Sequence, residues 1–162
     1  DPFLSEKRAA ELGVTLATIE RLMSESDFIS VNCPLTDQTR NLIGANELSL
    51  MKPTAFIINT ARGGIVNEEA LLDVLRNKRI AGAATDVFAT EPVNADHPFA
   101  QLDNVILAPH CIAWTDELFR DIGQMACRIA VALSKGEIPT MGVINREVLE
   151  RKGFQAKLAR YR

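Results

Sequence analysis

The sequence lacks the features that mark several large classes of protein. Its 162 residues contain three cysteines and two histidines, and no two cysteines form a Cys-x-x-Cys pair. A disulfide scaffold is therefore not expected, and no metal-binding spacing is present. No apolar run reaches the length of about 20 residues that a membrane-spanning helix needs. These absences predict a protein of a reducing, cytoplasmic compartment with no metal site and no membrane partner.

An excess of positive charge is also missing. The chain has 18 basic and 21 acidic residues, which give a formal net charge of −3. No overall basic field is available to attract nucleic acid, so none is expected as a partner. The length and the hydrophobic content of 47% are ordinary for a globular domain with a sizeable core.

What the sequence does contain is an alternation of short helix patterns and short strand patterns. Strands are predicted at 14–16, 27–33, 55–59, 80–87 and 104–108, and helices at 5–12, 18–24, 45–51, 68–75 and 115–134. The nearly all-apolar run at 55–59 is typical of a parallel strand that is covered on both faces. Strands separated by helices imply right-handed βαβ units and a parallel sheet.

Polar clusters follow four of the predicted strands. They lie at 33–34, 59–64, 86–92 and 109–110. In open α/β sheets, ligands bind outside the carboxyl ends of the strands. The topology alone therefore predicts a functional site at this edge of the sheet.

The segment 59–64 (NTARGG) has an unusual centre. Arg62 carries a permanent charge and offers two parallel donors to a carboxylate or a phosphate. Gly63 and Gly64 allow a sharp turn and leave room for a ligand. An ordinary surface turn before a capped helix is an equally good interpretation of this segment taken by itself.

The other clusters contain groups that can move or orient a proton. His110 follows a strand and a proline and can donate or accept a proton near neutral pH. Glu91 follows the strand 80–87, and a carboxylate bonded to an imidazole orients it. Asp86 ends the same strand, where an acid binds a ligand amide or caps a turn. Taken singly, His110, Glu91 and Asp86 could each be an ordinary loop residue. The other histidine, His97, is interpreted only as a loop histidine bonded to the backbone.

Four segments together resemble the D-isomer-specific 2-hydroxyacid dehydrogenase family. They are SDFISVNCPLTDQTRNLIG at 26–44, MKPTAFIINTARGGIVNEEAL at 51–71, AGAATDVFATEP at 81–92 and NVILAPHCIAWT at 104–115. The resemblance implies an α/β fold with a Rossmann-like, doubly wound parallel sheet. The sheet is expected to be incomplete, because the first βα unit with its glycine-rich loop belongs before Asp1.

The resemblance also implies roles for individual residues. Arg62 is expected to bind the substrate carboxylate, His110 to act as the general acid/base, and Glu91 to pair with His110. Asp86 is expected beside the nicotinamide. The residues implied to contact the dinucleotide are Asp1, Cys33, Pro34, Thr39, Thr60, Ala61, Arg62, Asp86, His110 and Ala113.

The acid at Asp1 bears on the choice of cofactor. In this family an acid at the end of the second Rossmann strand bonds the ribose hydroxyls and repels a 2′-phosphate, so NAD is favoured over NADP. A simple turn start at Asp1 is the alternative. Residues 1–135 are then expected to form a partial NAD(P)-binding Rossmann domain. Residues 136–162 are expected to form a C-terminal tail that returns toward a substrate domain outside this chain.

The implied activity is hydride transfer between NAD(H) and the C2 atom of a small D-2-hydroxy acid or 2-oxo acid. The Ala113-Trp114 pair indicates a hydroxypyruvate or glyoxylate reductase-like member, and a phosphoglycerate dehydrogenase-like member is the other possibility. The complete protein is expected to be a homodimer, whereas the chain by itself is expected to be inactive and to bind NAD poorly.

Three alternatives stay open at this point. The first is an NAD-sensing, corepressor-like module of the same fold with little catalysis. The second is a formate dehydrogenase, whose chemistry needs no such histidine. The third is a generic α/β domain without a site, which would make four coincident motifs accidental.

Overall fold

The computed structural model of the protein describes residues 1–161. They belong to two compact units, the first comprising Asp1–Ile112 and the second beginning at Ala113. The division between a Rossmann domain at 1–135 and a tail at 136–162, which the resemblance implies, stays a prediction.

The first unit contains all four strands of a parallel sheet. The strands are β1 (Phe28–Val31), β2 (Phe56–Asn59), β3 (Gly82–Thr85) and β4 (Val105–Leu107). The helices are α1 (Glu6–Glu11), α2 (Ile19–Glu25), α3 (Ala45–Ser49) and α4 (Glu68–Arg76), and a short 3-10 helix covers Pro98–Gln101. The predicted α/β class, the parallel sheet and its Rossmann-like character are confirmed.

The strand order in the sheet is the order in the chain, β1-β2-β3-β4. Asn59 at the end of β2 pairs with Val31 of β1 and with Thr85 of β3, and Thr85 pairs with Leu107 of β4. All four strands therefore end at the same edge of the sheet. The loops that leave β2, β3 and β4 are consecutive neighbours there.

Helix α4 fixes the position of the segment that precedes it. The Asn67 side chain accepts a hydrogen bond from the Ala70 backbone N–H and so caps the helix start. Leu71, Val74 and Leu75 are buried in the hydrophobic core, as expected for apolar positions three and four residues apart on one helix face. The helix start, and with it the end of the 59–64 turn, is thus anchored to the core.

The strand predicted at 14–16 is wrong. Gly13 has a φ of 69° where α1 ends, and the Val14 N–H bonds back to the Ala9 carbonyl. Val14 and Leu16 are exposed, and residues 14–16 pair with no strand in the described part of the chain. Alternating apolar residues make a strand only when a neighbouring backbone accepts their hydrogen bonds.

The second unit is helical. Its long helix α5 (Asp116–Ser134) begins after Thr115, whose side chain accepts a hydrogen bond from the Leu118 N–H. A shorter helix α6 (Lys152–Leu158) lies between two 3-10 segments, Arg146–Glu150 and Ala159–Tyr161. Across residues 1–161, no helix combines the length and the apolar character needed to cross a membrane.

Candidate active site

The strand order brings three ionisable side chains to neighbouring loops. Arg62 follows β2, Glu91 follows β3 and His110 follows β4, and these strands are neighbours in the sheet. The sequence predicted this arrangement from the parallel topology. The three loops form the candidate active site.

The central contact of the site joins His110 and Glu91. The His110 Nδ1 atom lies 2.8 Å from the Glu91 Oε2 atom, and the two side chains are 44% and 34% exposed. The second carboxylate oxygen, Oε1, accepts a hydrogen bond of 2.9 Å from the Phe88 backbone N–H. Both oxygens of Glu91 therefore have donors, and its carboxylate is held between the ring and the backbone.

These donors keep Glu91 ionised. The hydrogen bond with His110, and then the one from Phe88, hold the pKa of Glu91 below its ordinary value, and the charge of Arg62 lowers it further. Together they outweigh the partial burial that would raise this pKa. An ionised carboxylate only accepts hydrogen bonds, so the His110 Nδ1 atom carries a hydrogen. Within residues 1–161 no hydrogen bond involves the His110 Nε2 atom, which leaves that nitrogen for proton exchange with a ligand.

The backbone at His110 has an unusual conformation. Its φ is 57°, in the left-handed region, which costs a residue with a side chain about 1–2 kcal/mol. The Asp86 carboxylate is buried, and its Oδ1 atom accepts hydrogen bonds from the Cys111 N–H at 2.9 Å and the Ile112 N–H at 3.3 Å. Asp86 thus holds the turn that presents His110. Its predicted contact with the nicotinamide stays a prediction.

The turn that carries Arg62 is held by Asn59, which the sequence analysis did not single out. Asn59 is buried; its side chain donates to the Arg62 carbonyl at 3.1 Å and accepts from the Ala61 N–H at 3.1 Å. A buried amide directly before a turn was the available signal, because such a group needs polar partners. The exposed Arg62 guanidinium bonds the Ala61 carbonyl at 2.6 Å. It forms no salt bridge within the described residues, so it can receive an anion.

Gly63 lies against the loop that carries Glu91. A Cβ atom at Gly63 would be 1.8 Å from the Phe88 carbonyl oxygen and 2.6 Å from the Ala89 nitrogen. Gly64, with a φ of 79°, completes the turn in a conformation that favours glycine. Gly63 therefore brings the arginine loop into contact with the glutamate loop, and the space left by its missing side chain is filled by the Phe88–Ala89 backbone.

An open cleft of about 680 Å³ lies beyond the ends of β1 and β2. It is lined by Asn32, Cys33, Pro34, Leu35, Thr60, Ala61 and Arg62. Five of these are residues predicted to contact the dinucleotide. Its volume falls within the range of about 300–1,000 Å³ that is common for ligand pockets, and its apolar walls with a few polar groups fit a nucleotide that lies along the strand ends.

Three further predicted cofactor residues lie outside the lining of this cleft. The Thr39 hydroxyl donates to the Pro34 carbonyl at 2.7 Å, so Thr39 supports the wall of the cleft. The Asp1 carboxylate accepts a hydrogen bond from the Phe3 N–H at 2.8 Å, which is the turn-start alternative. Ala113 is exposed and begins the second unit. The cofactor contacts of all three stay predictions.

His97 makes the backbone contact expected of it, because its Nδ1 atom accepts a hydrogen bond from the Phe99 N–H at 3.3 Å. Residues 1–161 contain no cluster of three or more His, Cys, Asp or Glu side chains that could hold a metal ion.

The geometry agrees with the family relationship of the chain. Residues 1–111 match the model of the D-isomer specific 2-hydroxyacid dehydrogenase NAD binding domain. The chain belongs to this family.

Several named relatives and solved structures are similar to the chain. A glyoxylate reductase of Aeropyrum pernix is 46% identical over 86% of this chain and 42% of its own length. A D-3-phosphoglycerate dehydrogenase of Synechocystis is 50% identical over 98% of this chain and 29% of its own length. The structure of D-lactate dehydrogenase with NAD+ from Lactobacillus jensenii superposes with a TM-score of 0.77 at 30% identity, covering 88% of this chain and 46% of that one. The chain thus spans less than half the length of these relatives.

Proposed function

We propose that the complete protein containing this chain is an NAD-dependent oxidoreductase that acts on a small D-2-hydroxy acid or the corresponding 2-oxo acid. The observation that carries this proposal is the 2.8 Å contact between His110 Nδ1 and Glu91 Oε2. It leaves the His110 Nε2 atom available for a ligand. The reduction of a 2-oxo acid requires an acid/base group and a carboxylate-binding group, and here they follow β4 and β2, the two strands that flank β3.

The cleft beyond β1 and β2 is proposed as the cofactor site. Cys33, Pro34, Thr60 and Ala61 line it, and Asp86 is proposed beside the nicotinamide. When bound, NADH supplies the hydride that reduces the C2 atom of the oxo acid. An acid at Asp1 favours NAD over NADP, because it would repel a 2′-phosphate.

Arg62 binds the substrate carboxylate in this proposal. Its planar guanidinium can donate two parallel hydrogen bonds, which both orient the oxo acid and place positive charge beside the developing alkoxide. The turn held by Asn59 and the contact at Gly63 direct the arginine loop toward the loop of Glu91. The substrate is thereby oriented between Arg62 and His110.

His110 donates a proton from its Nε2 atom to the alkoxide oxygen at C2, and it takes the proton back in the oxidative direction. Glu91 keeps the ring in one orientation and stabilises its protonated form, because its carboxylate is ionised. A positioned general acid contributes about 10²–10⁴-fold in rate.

Glyoxylate and hydroxypyruvate are the proposed substrates, supported by the names of the glyoxylate reductases among the relatives. A phosphoglycerate dehydrogenase-like activity is the second possibility within the same reaction class. A homodimer in the cytoplasm is proposed for the complete protein.

A screen of 2-oxo acids with NADH and NADPH, on the complete protein, tests the proposal. We expect NADH-dependent reduction of glyoxylate or hydroxypyruvate, with a lower rate for NADPH. Tight NAD binding without turnover of any 2-oxo acid would instead identify an NAD-sensing module. A preference for NADPH would contradict the role of Asp1.

A further inference from the structure

The Phe88–Ala89 segment of the structure connects the arginine loop with the catalytic pair. Its peptide group lies against Gly63, so closely that no side chain fits there. The Phe88 N–H donates to Glu91 Oε1 at 2.9 Å, and the next N–H, that of Ala89, donates to Glu68 Oε1 at 2.6 Å. Two successive amides of one short segment are therefore each bound to a different carboxylate.

Glu68 is well placed to hold this segment. It is the first residue of α4, a helix anchored in the core, and its side chain is 26% exposed. Its second oxygen, Oε2, lies 3.8 Å from the Nε2 atom of His97. The carboxylate thus links a fixed helix to the loop that runs from Phe88 to His97.

The His97 ring is itself held tightly. It is 20% exposed and makes edge contacts with the Phe88 ring at 5.2 Å and the Phe99 ring at 4.9 Å. Its Nδ1 atom accepts a hydrogen bond from the Phe99 N–H, which leaves Nε2 to carry a hydrogen toward Glu68. Helix α4, Phe88 and His97 therefore form one connected support behind the catalytic loop.

We propose that Glu68 is a positioning residue for the Glu91–His110 pair, acting through the Ala89 amide. By fixing the Ala89 N–H, Glu68 also fixes the orientation of the preceding peptide, and so directs the Phe88 N–H toward Glu91. Glu91 then presents its other oxygen to His110 in a constant position. The catalytic consequence of this role rests on the proposed function, whereas the structural consequence does not.

The first experiment measures structure in the 162-residue chain by NMR. Glu68→Ala removes the acceptor, and Glu68→Asp withdraws it by one methylene while it keeps the charge at the start of α4. We expect both variants to shift the Ala89 amide, the Phe88 amide and the ring resonances of His110. Glu68→Gln retains an oxygen that can accept from Ala89, and we expect it to keep most of the wild-type pattern.

Glu69 provides the matched control. It is an exposed glutamate in the same first turn of α4, and within residues 1–161 its side chain makes no hydrogen bond or salt bridge. Glu69→Ala is expected to leave the resonances of Phe88, Ala89 and His110 unchanged. Shifts in Glu68→Asp that are confined to Ala89 would overturn the proposal, and so would equal shifts in Glu69→Ala.

The second experiment measures reduction of the 2-oxo acid by the complete protein. We expect Glu68→Ala and Glu68→Asp to lower kcat by about 10-fold, below the roughly 10²-fold that a 1 Å misplacement can cost, with little change in KM. Glu68→Gln, which keeps an acceptor for the Ala89 N–H, should restore kcat. An unchanged kcat, with only the melting temperature lowered, would show that Glu68 is merely structural.

The two experiments separate the two proposals. If the wild-type protein reduces no 2-oxo acid, the proposed function fails, and the NMR shifts at Phe88 and His110 still decide whether Glu68 positions the pair. If reduction is found and the Glu68 variants behave as Glu69→Ala does, the positioning role alone fails.

Discussion

The first unit contains two glutamate–histidine pairs that differ in the distance between their atoms, in the exposure of the histidine and in its backbone conformation. In the first pair His110 Nδ1 lies 2.8 Å from Glu91 Oε2, and the His110 side chain is 44% exposed. In the second pair His97 Nε2 lies 3.8 Å from Glu68 Oε2, and the His97 side chain is 20% exposed. His110 has a φ of 57°, and His97 has one of −53°.

The use of the ring nitrogens explains the difference. The His97 ring has one nitrogen on the backbone and the other toward Glu68, and two phenylalanine rings enclose it. The His110 ring uses only Nδ1 for its glutamate. An enclosed histidine that is bonded to the backbone and faces a carboxylate stabilises a loop, whereas a more exposed one with an open nitrogen can transfer a proton. The same two residue types thus support a loop in one place and form the proposed acid/base pair in the other.

The largest expected effect comes from removing each histidine in turn. His110→Ala should lower the rate of 2-oxo acid reduction in the complete protein by about 10²–10⁴-fold, because the general acid is lost. His97→Ala should cause a much smaller loss of rate and a lower melting temperature. Steady-state kinetics and thermal melts check both. Equal losses of rate in the two variants would remove the distinction between the pairs.

Gly63→Ala tests the contact that joins the arginine loop to Phe88–Ala89, the segment between the two pairs. The added Cβ atom would overlap the Phe88 carbonyl, so the free energy of unfolding should fall by about 1–3 kcal/mol. Gly123→Ala is the control, since a Cβ atom there meets nothing within 4 Å and the α5 interior should gain about 0.5–1 kcal/mol. Denaturant unfolding measures both. If Gly63→Ala left the free energy of unfolding unchanged, the arginine loop and the Phe88–Ala89 segment would be shown to move apart freely.

Glu91→Gln sharpens the comparison through the contact with the ring. The variant replaces the ionised acceptor of the His110 Nδ1 hydrogen by a neutral amide, so the ring is held less firmly and the rate of reduction should fall across the pH range, while substrate binding is largely kept. Glu69→Gln serves as the control with the same change of charge. A pH–rate profile that coincides with that of the wild type would contradict the pairing.

The smallest effect concerns acid stability. Because the pKa of Glu91 is lowered by its bonds to His110 and Phe88, its contribution to stability is fully present above the ordinary glutamate pKa of about 4.3. It is lost as the pH falls through the lower pKa of the folded state. Glu91→Gln should therefore reduce the difference in stability between pH 7 and pH 3. If the difference in stability between pH 7 and pH 3 were the same in the variant and the wild type, the Glu91 carboxylate would not be held by His110 and Phe88.

The elements that the sequence predicted well are those whose cause is local. The strand 55–59, the helix after Asn67 and the long helix after Thr115 follow from apolar runs, caps and periodicity. The segment 14–16 failed because a strand depends on a neighbour that no local pattern specifies. The order of the polar clusters also followed from sequence, since parallel strands bring their ends to one edge.

The residues that were missed act through partners distant in the chain. Asn59 begins the NTARGG segment and was not singled out from the sequence, although its side chain holds the Arg62 turn. Glu68 begins α4, and its bond to Ala89 spans 21 positions. Asp86 was singled out from the sequence, but its bonds to the backbone after His110 were not, and they span 25 and 26 positions. Such contacts are decided by how loops fold back, which single-sequence patterns do not report.

The sequence by itself determined the α/β class and the family, and it predicted the three ionisable residues of the candidate site, because periodicity and motif spacing are local properties of the chain. Only the tertiary structure decided that His110 faces Glu91 through Nδ1, that Gly63 must be small because Phe88 lies against it, and that Glu68 and His97 form a second, enclosed pair. The physical reason is that hydrogen bonds and steric exclusion act over a few ångströms in space, whatever the separation along the chain.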